Sequence, residues 1–254
     1  KEYSPYVVSA YLLSKYGRMQ TFRETTGNVQ PNLFLYKIRE ILIPKFDTAL
    51  QKQVEEISIE ARKKRNISEQ KYKEAESFLL QKLGVEGWKP EETKVSVRTY
   101  RDVFAAERMD AEYYQQKYDD IREKLKSFVY LPFREVCGLY DGNFSPEKNT
   151  MYRYIELSNI GSMGEINGCT MGYGSDLPNR ARRIVHKGNI ILSSIEGSLQ
   201  SCALVTKEYD QALCSNGFYV IDSERINSET LLVLMKSWPV QAMLKRGCSG
   251  TILT

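Results

Sequence analysis

The sequence predicts an α+β fold that combines one long helix with several small helices and a curled, mostly antiparallel sheet. Residues 47–83 contain no glycine or proline. From residue 131 onward, short runs of β-forming residues alternate with Gly, Asn and Pro. Because the two patterns occupy separate parts of the chain, helices and sheet are expected to be segregated.

Apolar or small residues recur along 47–83 at the three- and four-residue spacing of a helix face. They are Leu50, Val54, Ile57, Ala61, Tyr72, Ala75, Leu79 and Leu83. Asp47 or Thr48 is the expected N-terminal cap and Gly84 the expected end. Such a helix is about 55 Å long, so its stripe needs a partner helix. The charges at 63–65 indicate a solvated face, with a DNA-backbone contact as the alternative.

The rest of the chain divides around this helix. A polar linker is predicted at 85–99, a short helix at 109–125 and a final helix at 228–245 with Ser228 as its cap. Predicted strands cover 153–157, 183–185, 190–194, 203–206 and 218–221.

The two ends of the chain show an internal repeat at an offset of 223 residues. Ser14, Arg23 and Gly27 align with Ser237, Arg246 and Gly250, and the apolar Val8 and Leu12 align with Leu231 and Met235. The sequence therefore predicts that one structural unit occurs twice.

Composition excludes several classes of protein. The net charge of +4 requires any nucleic-acid site to come from local clustering of basic residues. Five scattered cysteines without a CxxC pair indicate reduced thiols and no zinc site, and the single histidine, His186, rules out a histidine-rich metal cluster. Without a run of about 18 apolar residues or a leader, a soluble cytoplasmic protein without membrane contact is expected.

Several segments carry a family resemblance. They are TTGNVQPNLFLYKIREILIPKF at 25–46, AAERMDAEYYQQKYDDI at 105–121, YRYIELSNIGSMGEING at 152–168, VHKGNIILSSIEGSL at 185–199 and SNGFYVI at 215–221. Together they resemble the target-recognition domains of type I restriction-modification DNA specificity subunits. The chain then resembles a partial or half-length subunit, which recognises DNA for a methyltransferase.

The resemblance implies a domain order. Residues 1–46 are the tail of a first target-recognition domain, ending in a strand that contains Ile43 and Pro44. Residues 47–84 are the spacer helix and 85–99 a linker. Residues 100–254 are a second target-recognition domain, incomplete at its C-terminal end. In the family, paired antiparallel spacer helices set the spacing of a split DNA target.

The resemblance also implies partners. These are double-stranded DNA, modification (methyltransferase) subunits and a restriction and translocation subunit. No cofactor is expected in this chain; S-adenosylmethionine and ATP with Mg²⁺ are expected on the partner subunits. A homodimer through the spacer helices is expected, and antiparallel packing brings the tail of each chain beside the sheet domain of the other.

Candidate DNA-binding residues are basic or polar and lie on loops or strand ends. Phosphate contacts are expected from a basic run, Arg180, Arg182, Arg183, His186 and Lys187. Base contacts are expected from Asn143, Tyr173, Ser198, Gln200 and Asn216. The alternative for each is a local structural role. Asn189 stands where family members often carry Asp, and the turn at 187–189 is expected to tolerate it.

No catalytic motif is visible. The sequence contains no GxxxxGK[ST] loop, no GxGxxG after a strand and no Asn/Asp-Pro-Pro-Tyr/Phe tetrapeptide. A non-catalytic subunit is therefore expected. Two alternatives stay open: the recognition part of a fused restriction-methyltransferase enzyme, and a coiled-coil scaffold that binds protein.

Overall fold

The computed structural model describes residues 3–27, 32–126, 128 and 130–249. Within this part, the chain forms two compact units that divide between Lys71 and Tyr72, inside the long helix. The predicted α+β class and the long helix are confirmed.

The first unit is helical. It contains α1 (Pro5–Leu13), α2 (Lys15–Glu24), α3 (Leu35–Ile38) and the first part of α4 (Thr48–Lys82). The predicted strand through 43–44 is wrong, because the described residues 32–47 form α3 and an extended stretch without strand pairing beyond a single Thr26–Asn32 bridge. The extended stretch lies on α2: the Gln20 side chain bonds both the N–H and the carbonyl of Leu42, at 2.9 and 3.0 Å.

Helix α4 has 35 residues and begins and ends at the predicted positions. The Asp47 carboxylate accepts a hydrogen bond of 2.7 Å from the N–H of Leu50, as an N-terminal cap does. Gly84 follows the helix with a φ of +60°, the left-handed conformation that glycine adopts without strain. No residue of α4 is fully buried. Of its predicted apolar stripe, Val54, Tyr72, Leu79 and Leu83 are half-buried, and the other members are exposed.

The second unit begins with the rest of α4, and its described residues then form three short helices before the first strand. They are α5 (Tyr100–Ala106), α6 (Gln116–Leu125) and α7 (Phe133–Val136). The linker 85–99 has no helix or strand, as predicted. Helix α5 was not predicted, although Thr99 and Asp102 form a capping box at its start. The predicted helix 109–125 begins later, at Gln116.

In the described residues, eight strands form two four-stranded sheets instead of the single sheet predicted. The first sheet is antiparallel and has the order β1 (Gly138–Tyr140), β8 (Phe218–Asp222), β5 (Ile190–Ser193), β6 (Cys202–Leu204). The second has the order β3 (Thr170–Tyr173), β2 (Met151–Ile155), β7 (Leu213–Ser215), β4 (Ala181–Ile184). Its β2–β7 pair is parallel, and its other pairs are antiparallel.

Two helices close the unit, α8 (Ser228–Lys236) and α9 (Trp238–Gly247), where one helix was predicted. Proline at position 239 has no N–H to donate to the carbonyl of Met235, and the Gln241 side chain donates to that oxygen instead, at 2.7 Å. Asn227, not the predicted Ser228, caps α8 by accepting from the N–H of Thr230. Apolar residues of α8 and the first sheet form one buried cluster, which includes Ile190, Leu192, Leu231 and Met235.

The predicted repeat is present as a pair of helices. At the offset of 223 residues, α1 and α8 begin and end at equivalent positions, and so do α2 and α9. A serine separates the helices in both pairs. The Oγ of Ser14 donates to Tyr11 and that of Ser237 to Leu234, each at 2.6 Å and at equivalent carbonyls.

Candidate nucleic-acid interface

The structure divides the predicted basic run between two places. Arg180 precedes β4 and His186 follows it, so their backbones lie at opposite ends of that strand. At about 3.3 Å per residue, they are separated by about 20 Å. The five side chains therefore do not form one phosphate-binding face.

Arg183 takes part in packing within the protein. Its side chain is half-buried, and Nη1 donates to the carbonyl of Phe218. Its Nε is buried and has no hydrogen-bond partner in the described part of the chain. Withdrawing this guanidinium to bind a phosphate would break the contact with β8, so its position indicates a structural role.

His186 and Lys187 lie beside an acidic side chain. The Asp210 carboxylate accepts from the backbone N–H of Lys187 at 2.9 Å and lies 3.7 Å from Nδ1 of His186. The N–H of Lys187 and the charge of His186 hold the pKa of Asp210 below its usual value. The predicted turn forms, with Gly188 at a φ of +92° and Asn189 Oδ1 accepting from the N–H of His186. An anion at this end would meet the Asp210 carboxylate.

The other end of β4 brings three loops together. The carbonyl of Arg180 accepts from the N–H of Asn216 at 2.8 Å. The carbonyl of Gly217 accepts from the N–H and the hydroxyl of Ser194, each at 2.9 Å. Ser198 is joined to the same region by a 2.8 Å hydrogen bond between its hydroxyl and that of Ser193. The side chains of Arg180 and Asn216 are exposed here.

A fourth loop, 141–150, reaches the same end. The N–H of Phe144 donates to the carbonyl of Arg182 at 2.6 Å, which places Asn143 nearby. Arg182 Nε donates to the carbonyl of Asn179 at 2.7 Å, and its Nη1 is 3.4 Å from the Ser145 hydroxyl. We call Asn143, Arg180, Arg182, Ser198 and Asn216 the Arg180 cluster.

Two of the five residues predicted to contact bases lie outside the Arg180 cluster. Tyr173 ends β3, which is separated from β4 by β2 and β7. Gln200 is exposed two residues beyond Ser198, and its carbonyl accepts a 2.8 Å hydrogen bond from Lys236. Sequence reasoning did not select Ser145 or Asn179, although both are polar residues of the same loops. The sequence marks these two residues only by their place in polar loops between predicted strands, and many other positions have the same feature.

The segment 105–121 has a role in packing that its sequence did not reveal. Arg108 donates to the last carbonyls of α9, those of Arg246, Gly247 and Cys248, at 3.2, 3.4 and 2.6 Å. These carbonyls have no partner within the helix, and the cation also faces the negative end of the helix dipole. The Tyr113 ring contacts both Arg108 and Arg246, each guanidinium carbon 4.6 Å from the ring centroid. This arrangement joins the segment to the end of α9.

Charged groups from α6 and α9 strengthen this junction. Asp119 accepts from Arg98 and forms ion pairs of 3.3 Å with Arg122 and Arg246. Glu112 receives hydrogen bonds from the Tyr118 hydroxyl and from Lys117. Burial opposes ionisation of Glu112, but the hydrogen bond from Tyr118 and nearby lysines lower its pKa overall. The segment therefore fixes α9 rather than presenting a free basic surface.

Comparison with known proteins gives similar solved structures, two of which are described here. No family model matches the chain, and no curated protein matches it. One structure is the HsdS subunit from Thermoanaerobacter tengcongensis, with 30% identity over 41% of this chain and 28% of that chain and a TM-score of 0.39. The other comes from work on complex assembly and conformational transition of the type I R-M system, with 27% identity over 43% of this chain and 31% of that chain and a TM-score of 0.35.

The chain is thus similar to part of these type I proteins, and it covers less than a third of the length of either.

Two searches of the described residues bear on other functions. Within 3–27, 32–126, 128 and 130–249, no three His, Cys, Asp or Glu side chains form a group suited to a metal ion. Over the same ranges, every helix is too short or too polar to cross a membrane.

Proposed function

We propose that the chain is part of a DNA specificity subunit of a type I restriction-modification complex and reads part of a split target in double-stranded DNA. The observation that supports this most strongly is the pair of equivalent helices on the two sides of the 35-residue α4. A helix pair that occurs twice, before and after a helix of about 52 Å, suits a subunit that reads a target in two segments. The sequence resemblance supplies the function of the class.

The repeat also supports the proposed division of the chain. In this division, residues 1–46 are the tail of a first target-recognition domain, 47–84 the spacer, 85–99 the linker, and 100–254 belong to a second recognition domain. Of the two sides, the described residues show sheets only in the unit that begins at Tyr72. We therefore place the DNA contacts of this chain in the second domain.

Within that domain we assign DNA binding to the Arg180 cluster. Arg180 and Arg182 supply the phosphate contacts, because guanidinium groups bind phosphate oxygens in two-point geometry. Asn143 and Asn216 supply base contacts, since carboxamides pair with adenine in the major groove. Ser198, with Gln200 beside it, extends this surface. Arg183 is left out because it is bonded to β8, and Tyr173, His186 and Lys187 because they lie away from the cluster.

The chemistry of restriction and modification is assigned to other subunits. Modification subunits carry S-adenosylmethionine, and a restriction and translocation subunit uses ATP and Mg²⁺. The sequence of this chain supports the division, since it has neither a nucleotide-binding loop nor the tetrapeptide that holds a flipped adenine. Its own role is to position those subunits on DNA.

The spacer helix is the proposed contact with a second chain. Its apolar residues Leu50, Ile57, Ile67 and Phe78 are between 40% and 61% exposed. Antiparallel packing of two such helices would cover them and give a homodimer with two equivalent recognition domains. The same exposed residues favour a second candidate function, a coiled-coil scaffold that binds protein and not DNA.

Selection of duplexes from a random library by the chain, purified with its modification subunit, tests the proposal. We expect enrichment of a sequence motif and an affinity that falls steeply with salt, because phosphate contacts release counterions. Enrichment without any motif would reject sequence recognition. Failure to bind any duplex, even at low salt, would favour the scaffold.

A further inference from the structure

The loop 194–201 joins β5 to β6 and carries Ser198 of the Arg180 cluster. Hydrogen bonds inside the loop join residues that are close in sequence. The N–H of Ser198 donates to the carbonyl of Ile195 at 2.9 Å, and the N–H of Ser201 donates to the carbonyl of Ser198 at 2.8 Å. Because such local bonds are weak constraints on an exposed loop, its conformation depends on contacts from other elements.

Two buried polar side chains supply such contacts from the closing helices. Lys236, at the end of α8, donates from Nζ to the carbonyl of Gln200 at 2.8 Å. Gln241, on α9, donates from Nε2 to the carbonyl of Leu199 at 3.1 Å. Each of the two residues is only 7% exposed. Two consecutive carbonyls of the loop are therefore bound by side chains from two different helices.

The ammonium group of Lys236 is a costly choice for a buried position. Burial lowers its pKa, while nearby Cys202, Glu165 and Glu76 favour the charged form. An apolar side chain of similar volume at a buried position is often at least as stabilising as a charged one. The stability of the core therefore does not explain this lysine, whereas the contact with the carbonyl of Gln200 does.

The repeat shows that the helix pair forms without these two side chains. At the offset of 223 residues, Lys236 is equivalent to Leu13 and Gln241 to Arg18. The helices of the two pairs nevertheless begin and end at equivalent positions. What Lys236 and Gln241 add to the second pair is their contact with the loop 194–201.

We propose that Lys236 and Gln241 are positioning residues that set the sequence preference of the chain by holding the loop 194–201 in one conformation. This inference rests on the proposed function, because it takes the loop to contact DNA through Ser198 and the neighbouring Gln200. Neither Lys236 nor Gln241 touches DNA in this account. They act through the two loop carbonyls that they bind.

Hydrogen exchange of the full chain tests the hold on the loop without DNA. Lys236→Met keeps an unbranched side chain and loses the donor, so we expect the amides of Ser198 and Ser201 to exchange at least about tenfold faster. The amides of β5 should keep their rate. Lys207→Met is the control, a change at an exposed lysine of the same unit.

Gln241→Leu provides a second variant, and it should accelerate the same loop amides. Unchanged loop exchange in both Lys236→Met and Gln241→Leu would overturn the proposal. Urea unfolding followed by circular dichroism separates positioning from general support of the fold. We expect an unchanged or higher midpoint for Lys236→Met, because a buried charge is removed. A lower midpoint, with β5 amides accelerated as much as loop amides, would show that Lys236 supports the whole sheet and would also overturn the proposal.

Sequence preference is tested by competition between duplexes that differ at single positions of the preferred sequence. Lys236→Met should reduce discrimination by at least about fivefold at some positions, whereas Lys236→Arg, which retains a donor, should keep it. The salt slope should stay the same, since Arg180 and Arg182 lie outside the loop.

Two results would contradict different parts of this account. Full discrimination by Lys236→Met, in a chain whose wild type selects a motif, would overturn the specificity role and leave the proposed function standing. A wild-type chain that selects no motif would overturn the proposed function and the specificity role together. Hydrogen exchange would in that case still decide whether Lys236 and Gln241 hold the loop.

Discussion

Helix pairs α1–α2 and α8–α9 have equivalent bounds but different surroundings. Leu231 and Met235 of α8 are 1% and 2% exposed, whereas the equivalent Val8 and Leu12 of α1 are only partly buried. Capping and hydrogen bonds within about 20 residues decide where these helices begin and end. Burial is decided by elements distant in sequence, and only α8–α9 has a sheet to pack against in the described part of the chain.

The last turn of each pair shows the same contrast. Arg246 is 11% exposed in its side chain, pairs with Asp119 and contacts the ring of Tyr113. The equivalent Arg23 is 86% exposed in its side chain, and its ion pair with Glu24 is 4.0 Å long. The same residue of the repeat thus takes part in packing in one copy and is exposed to solvent in the other.

The largest effect that separates the two pairs is expected at Met235. Met235→Ala should lower the free energy of unfolding of the second unit by about 3 kcal/mol, because it leaves a cavity in the cluster between α8 and the first sheet. Leu12→Ala should cost less than about 1 kcal/mol. Urea unfolding followed by circular dichroism measures this, since the signal reports the helices of both units. Equal losses would mean that the first pair is equally buried.

Arg246→Ala is expected to have the next largest effect. It removes a largely buried partner of Asp119 and a contact with Tyr113, and should lower the free energy of unfolding by about 2 kcal/mol. Arg23→Ala, the matched control, should leave it unchanged, because exposed pairs contribute little. Urea unfolding followed by circular dichroism checks both. A neutral Arg246→Ala would show that Arg98 and Arg122 satisfy Asp119 without it.

DNA binding is expected to distinguish the two units, because the Arg180 cluster has no counterpart in the described part of the first unit. Arg180→Ala should weaken binding to all duplexes and reduce the slope of log affinity against log salt by about 1. Arg225→Ala is the control, an exposed arginine of the second unit outside the cluster. Fluorescence anisotropy over a salt series measures the slope. An unchanged slope for Arg180→Ala would remove it from the phosphate contacts.

Asn216→Ala should change sequence preference and leave the salt slope unchanged. A lost carboxamide contact should reduce discrimination at one base pair by about 1–3 kcal/mol. Duplexes that differ at single positions of the preferred sequence, compared by competition, measure the change. If all positions keep their preference, Asn216 does not read a base.

The smallest effect is expected at Asp210. Its pKa is lower in the folded protein, so its contribution to stability is present above the unfolded pKa and is lost as the pH falls through the folded pKa. Asp210→Asn should therefore lower the unfolding midpoint slightly at pH 7 and not at all below the folded pKa. Unfolding midpoints between pH 7 and pH 2 check this. A difference that persists at the lowest pH would point to another cause.

The sequence predicts best where the determinants are local. Helix α4 begins and ends at the predicted residues because Asp47 and Gly84 fix its ends and no residue between them interrupts it. The repeat is recovered for the same reason, since each pair contains its own capping residues and its separating serine. Proline at position 239 was also a local signal, in this case of a helix boundary. The prediction of a single helix over 228–245 did not use it.

The rest depends on contacts between distant residues. Strand β7 was missed because its pairing with β2 joins positions about 60 residues apart and leaves no periodicity. The sequence grouped the basic run as one set of phosphate contacts. Spacing along a strand does not reveal that Arg183 bonds Phe218 or that Asp210 lies beside His186. The loops of Asn143, Arg180 and Asn216 meet only after both sheets form, so sequence supplied the residue types and not their proximity.

Mapping methylated adenines in a genome where the chain is expressed with its modification subunit tests the central claim most directly. We predict one split motif, two short defined segments separated by a gap of fixed length, because the proposed function assigns α4 the role of a spacer helix. Arg180→Ala should reduce methylation at every copy of that motif. Methylation confined to an unbroken motif, or none above the level without the chain, would contradict the assignment.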